Sequence, residues 1–151
     1  MKLINNLLTV HTIRDITAVS KNAAIRELCE VVSDNPAVRD IDSFYSAIRS
    51  REAIMSTGIG MGIAIPHAKT SFLQDFVMAV GRSREGIDFD SHDGLPVHII
   101  ILIGVNDTQG EEFLKVLAEI GHVFMDESFA QRFLEAETPA AMLTMIHGRF
   151  E

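Results

Sequence analysis

The sequence holds a single cysteine, Cys29, in 151 residues. No internal disulfide can form, and a lone thiol cannot build a thiolate metal cluster. Basic residues are in deficit as well: 13 Lys and Arg stand against 21 Asp and Glu, a formal net charge of -8. That balance lacks the basic footprint of a nucleic-acid binder and is compatible with a basic protein partner. Long apolar runs are missing. The longest, IIILIGV at 99–105, falls far short of the roughly 20 residues of a membrane helix. The opening MKLINNLLTVHTIRDI has no apolar stretch of signal-peptide length. A cytoplasmic protein without membrane insertion is expected. Repeats, low-complexity tracts and linkers are absent too, so residues 1–151 are read as one domain.

What is present alternates between helical and strand patterns. NAAIRELCEVVS at 22–33 reads as a helix with Ala24, Leu28, Val31 and Val32 on one side, capped by Ser20 or Asn22 and stopped at Asn35-Pro36. A second helix covers 41–55. FVMAVGRS at 76–83 reads as a strand. VHIIILIGV at 97–105 is so continuously apolar and β-branched that it suits a strand covered on both faces. A long helix over 111–125 presents Phe113, Leu114, Leu117, Ile120 and Phe124. The short helix SFAQRFLEA follows, and Thr138-Pro139 opens a last one. The fold class expected is α/β: a small mixed β-sheet flanked by helices in a single layered domain.

GIAIPH, at 62–67, carries the main functional question. Ile65 precedes a proline and is pushed to extended geometry. Pro66 has no N–H and cannot continue a central ladder, so the strand should end there and leave His67 at its exit. Gly58, Gly60 and Gly62 permit close backbone approach, yet they match neither GxxxxGK[ST] nor GxGxxG. On residues alone His67 also suits a surface or capping position. The six histidines, with Asp88 and Asp90, show no HxxxH or HExxH spacing, so no metal site is expected. His98, at the start of a buried strand, reads as a satisfied strand residue.

Glu52, six spacers and then IGMGIAIPHA at 59–68 resemble the active-site signature of the type-2 EIIA domains. These belong to the phosphoenolpyruvate:sugar phosphotransferase system, in its fructose/mannitol and nitrogen-regulatory branch. Arg51-Glu52, Ser56-Thr57-Gly58, and EGIDFD at 85–90 with Asp93-Gly94 are similar to that family too. The resemblance implies a phosphocarrier. His67 would accept a phosphoryl group from the phosphorylated carrier HPr and pass it to a cysteine of an EIIB domain. Alternatively it would hold the group as a regulatory mark read by a target protein, as in the nitrogen-regulatory members. Arg51 matches the arginine that stabilises the phosphate; read alone it is a solvated charge at a helix end. Thr57 and Lys69 are further candidates for phosphate contacts. No bound cofactor is implied, since phosphoenolpyruvate enters only through the upstream proteins.

The chain departs from the family at one place. Many members carry a second histidine at the start of the helix after the last buried strand, and here that position is Phe113. His122, nine residues further on, falls on nearly the opposite helix face. Cys29 lies within a predicted helix, as a small apolar side chain and not as an acceptor thiol. The chain stops at Glu151, so neither an EIIB nor an EIIC segment is expected on it. A docking surface for HPr should surround His67 and draw on Met61, Phe72 or Phe113.

Overall fold

The computed structural model describes residues 2–150. Its elements run α1 (Lys2–Leu7), β1 (Ile13–Asp15), α2 (Lys21–Val31), α3 (Ile41–Ile54), β2 (Gly58–Gly60), β3 (Ile63–Ala64), β4 (His67–Lys69), β5 (Val77–Ile87), β6 (Val97–Val105), α4 (Gly110–Phe124), α5 (Glu127–Glu135) and α6 (Pro139–Arg149).

The β-branched and apolar run of β6 explains the sheet. The strand lies at its centre and from Ile99 onward alternates between two cores: Ile99, Ile101, Ile103 and Val105 face one and Ile100 and Leu102 the other, which Val97 joins beyond the register shift. Burial on both faces is what the unbroken apolar run requires. The strand order is β1-β5-β6-β3-β2, with β4 also paired to β6. β5 and β6 are antiparallel, with Val80 opposite Ile101. β1 is parallel to β5, and β3 and β4 are parallel to β6. The sheet is therefore mixed. Helices α4, α5 and α6 cover one face together with α1, and α2 and α3 cover the other.

Side-chain caps start the helices where the sequence marks them. Ser20, not Asn22, caps α2; Asp40 caps α3; Thr138 caps α6, with proline in the first turn. Each contributes about 1 kcal/mol. Two apolar faces differ from the expected ones. In α4 the buried residues are Phe113, Val116, Ile120, Val123 and Phe124, while Leu114 stands 63% exposed. In α2 they are Ala24, Ile25, Leu28 and Cys29, and Val31 is only half-buried. Both helices turn their stripe by one position to meet the sheet.

α1 and β1 carry little periodic signal, because six and three residues are too few to show one. Arg82 is a further surprise. It is 1% exposed on β5 and makes a two-pronged pair with Asp15 at 2.7 and 3.1 Å. Its Nη1 donates to the Phe133, Leu134 and Ala136 carbonyls at the end of α5. One guanidinium thus closes a helix C-terminus and clamps β1 to β5.

Candidate functional site

The strand leading into Pro66 ends before the proline, as expected, but pairing on β6 then resumes. β3 stops at Ala64, Ile65 and Pro66 bridge the gap, and β4 resumes pairing on β6 with His67 opposite Ile103. The Pro66 carbonyl accepts from Ile103 N–H at 3.0 Å. Proline takes part in the ladder through its carbonyl alone, so its missing N–H leaves no gap. His67 therefore lies at the exit of β3, as expected, and also opens a further short strand, β4.

His67 Nδ1 lies 2.8 Å from the Ile65 carbonyl oxygen. A carbonyl only accepts, so Nδ1 carries the proton and donates. In the neutral ring the lone pair then sits on Nε2. The ring is half-buried. Burial is the main reason its pKa falls below the ordinary value; the bond to Ile65 and the charge of Glu52 oppose that shift, and the charges of Arg51 and Lys69 add to it. The imidazole is thus held neutral at pH 7, with one defined nucleophilic nitrogen.

Phe113, in the first turn of α4, packs on this ring. The centroids are 5.1 Å apart with the planes tilted by 38°. Phe113 is only 5% exposed, so it covers His67 and is not part of an open docking surface. Met61 and Phe72 are exposed.

Arg51 sits in the last turn of α3, which packs on β4. Its Nη1 donates to the Met55 carbonyl at 2.8 Å, which fixes the guanidinium at the helix end while its charge reaches His67. Lys69 is exposed at the end of β4, with its Nζ beside Gly110 at the start of α4. Thr57 is not available to a phosphate. Its N–H donates to both Glu52 carboxylate oxygens at 3.2 Å, and its hydroxyl donates to Glu52 Oε1. Glu52 itself is 6% exposed and pairs with Lys21 Nζ at 2.8 Å. That ion pair was not legible in the sequence, since 31 positions separate its members.

The glycines serve the chain's own packing. Gly60 (φ 98°), Met61 (φ 60°) and Gly62 (φ 78°) form a left-handed run between β2 and β3, which glycine tolerates at two of the three positions. Met61 N–H donates to Asp93 Oδ2 at 3.0 Å, and the Gly62 carbonyl accepts from His98 and Ile99. A Cβ at Gly58 would collide with Ser91. The close approach these positions make is to residues 91–99. His98 is satisfied by the Ser83 carbonyl at 2.8 Å from its Nδ1. Cys29 is fully buried, and burial pushes its thiol up to about 12.

The site thus joins a neutral, tautomer-fixed imidazole to a nearby guanidinium, with a phenyl ring excluding water on one side. The family model described as phosphoenolpyruvate-dependent sugar phosphotransferase system, EIIA 2, matches residues 6–148. The fructose-specific EIIABC component of Bacillus subtilis is 37% identical over 145 residues, 95% of this chain but 23% of that protein's length. The fructose-specific EIIA component of Haloferax volcanii is 38% identical over 119 residues, 79% of this chain and 77% of that protein. The crystal structure of the nitrogen regulatory protein IIA-Ntr from Neisseria meningitidis superposes with a TM-score of 0.89 at 26% identity, covering 95% of this chain and 99% of that one. The chain belongs to the type-2 EIIA family of the phosphoenolpyruvate-dependent sugar phosphotransferase system.

Proposed function

We propose that residues 1–151 act as one cytoplasmic phosphocarrier domain in which His67 accepts a phosphoryl group from phosphorylated HPr and passes it to an EIIB cysteine. The observation that carries this is the hydrogen bond from His67 Nδ1 to the Ile65 carbonyl, which leaves Nε2 as the nucleophile. Nε2 attacks phosphorus, a P–N bond forms, and the bond from phosphorus to the donor breaks. In the second half an EIIB thiolate attacks, a P–S bond forms, and the lone pair returns to Nε2. Nδ1 keeps its proton throughout. The ring becomes positive on phosphorylation, which makes it a good leaving group and keeps the transfer reversible. Arg51 binds the phosphoryl oxygens, to which a guanidinium donates in parallel pairs.

A fructose-type transport role is supported by the two fructose-specific relatives at 37% and 38% identity. The likeness to IIA-Ntr favours a second reading, in which phospho-His67 is a regulatory mark read by a target protein. Chasing the phosphorylated protein with a purified fructose-type EIIB separates the two. Rapid loss of the label to the EIIB thiol supports transport. Retention of the label on His67, under conditions where a fructose EIIA is discharged, supports regulation.

A further inference from the structure

Glu52 neither bonds His67 nor stacks on it, yet its carboxylate begins an unbroken set of hydrogen bonds that ends on the imidazole. Thr57 N–H and hydroxyl donate to Glu52. The Thr57 carbonyl accepts from Ile65 N–H at 3.1 Å. The Ile65 carbonyl accepts from His67 Nδ1 at 2.8 Å. Behind Glu52 stands Lys21 from α2, at 2.8 Å, which also donates to the Phe89 carbonyl at 3.2 Å. Ser56 donates to that same carbonyl at 2.7 Å. The start of α2 and the residue before β2 therefore meet on one buried carboxylate at the end of α3, and Lys21 and Ser56 tie the 88–90 loop to the same cluster.

The geometry points to Glu52 as a positioning residue for His67: its buried carboxylate fixes Thr57, and through Thr57 and Ile65 it fixes the tautomer and direction of the imidazole. The inference rests on the reading of His67 as phosphoacceptor. Two links support it. Ile65 N–H donates to the Thr57 carbonyl, so Thr57 helps to locate the peptide whose carbonyl selects the tautomer, together with the burial of Ile65 and the pairing of its neighbours on β6. Successive helix residues point about 100° apart, so anchoring Glu52 inward also sets the direction of its neighbour Arg51. Glu52 further carries one of the three charges felt by His67, with Arg51 on the same helix and Lys69 on β4. Lys21 is spent on Glu52 and Phe89.

The test compares wild type, E52L, E52Q and K21M/E52L. Three readouts are taken: imidazole 15N shifts of His67, the rate of phosphorylation by phospho-HPr, and the thermal midpoint. Wild type should show one tautomer, with the proton on Nδ1. E52L removes every acceptor for Thr57; it should give a mixture of tautomers and a tenfold or greater loss of rate per folded molecule. E52Q keeps one acceptor oxygen and should recover most of both. If E52L does not fold, K21M/E52L, which also removes the partly buried ammonium that Glu52 pairs with, takes its place. A lowered thermal midpoint with an unchanged tautomer and rate in the leucine variants would overturn the inference and leave Glu52 a purely structural residue. Failure of wild type to become phosphorylated would strike at the phosphocarrier reading instead, while the tautomer shifts still judge the role of Glu52.

Discussion

Phe113 lies with its ring centroid 5.1 Å from that of His67, and this contact sets the character of the site. A phenyl ring donates no hydrogen bond and carries no charge. It supplies packing, and it removes water from one side of the imidazole. Phe113→Ala should cost about 3 kcal/mol of stability and should raise the His67 pKa toward its ordinary value, because burial is the main cause of the shift. Chemical denaturation and NMR titration of the His67 ring check both. Phe113→His should instead leave His67 packed while adding a hydrogen-bonding ring, and should change the lifetime of the phosphorylated state more than the fold.

The direction of the His67 shift has a pH consequence. Its folded-state pKa lies below the ordinary value of about 6.5. Between the two values the unfolded chain binds more protons than the folded one. The contribution of this group to stability is therefore complete above about pH 6.5 and is lost as pH falls through the folded-state value. Phosphorylation by the same donor should stay flat from pH 8 down past 6.5 and fall only below it. A rate limb centred above 6.5, measured with a donor whose own pH dependence is known, contradicts the buried, neutral ring.

Arg51 should separate charge from geometry. Arg51→Ala should slow phosphoryl acceptance by roughly tenfold to a hundredfold, the loss of a charge-assisted pair of hydrogen bonds worth about 1.5–3 kcal/mol. It should also raise the His67 pKa, since the arginine charge depresses it. Arg51→Lys keeps the charge and loses the parallel donors. It should restore the pKa but only part of the rate. Paired NMR titrations and initial rates check this.

Much of this arrangement was legible in the sequence, and the exceptions have physical reasons. The long apolar run of β6 and the capped helices declared themselves because periodicity and capping are local. His67, Arg51 and Glu52 stood out as a motif. Pro66 marked the end of β3 correctly, but not that pairing on β6 resumes at His67 through the proline's carbonyl. Thr57 looked free for a phosphate because its bonds to Glu52, five residues back, form only where the fold buries that carboxylate against Lys21. Arg82 gave no signal, since its partners Asp15 and the carbonyls around residues 133–136 are brought to it only by the tertiary fold.

Arg82 yields a stability prediction for that reason. Arg82→Met should destabilise the protein by about 3 kcal/mol, the scale for breaking a buried ionic network. It should also remove the depression of the Asp15 pKa, whose largest cause is the bond from Arg82. A carboxylate with a lowered pKa adds stability above its unfolded-state value that is lost as pH falls through the folded one. Wild type should therefore lose more stability than the variant as pH falls below about 4. Urea unfolding at pH 7 and pH 3 checks this.

Cys29 should be silent in the native state. Its thiol is fully buried and pushed up to about 12, so the thiolate is scarce and inaccessible. Iodoacetamide should add nothing to the folded protein and one label after denaturation. Fast native labelling would reopen a role for this cysteine.

The most direct test of the central claim is intact mass after incubation with phosphoenolpyruvate, Enzyme I and HPr, with His67→Ala alongside. One added phosphoryl group that is labile in acid, absent from the variant and mapped to His67 Nε2 is the predicted result. An unmodified wild-type protein, under conditions where a standard EIIA is fully labelled, would contradict the phosphocarrier account.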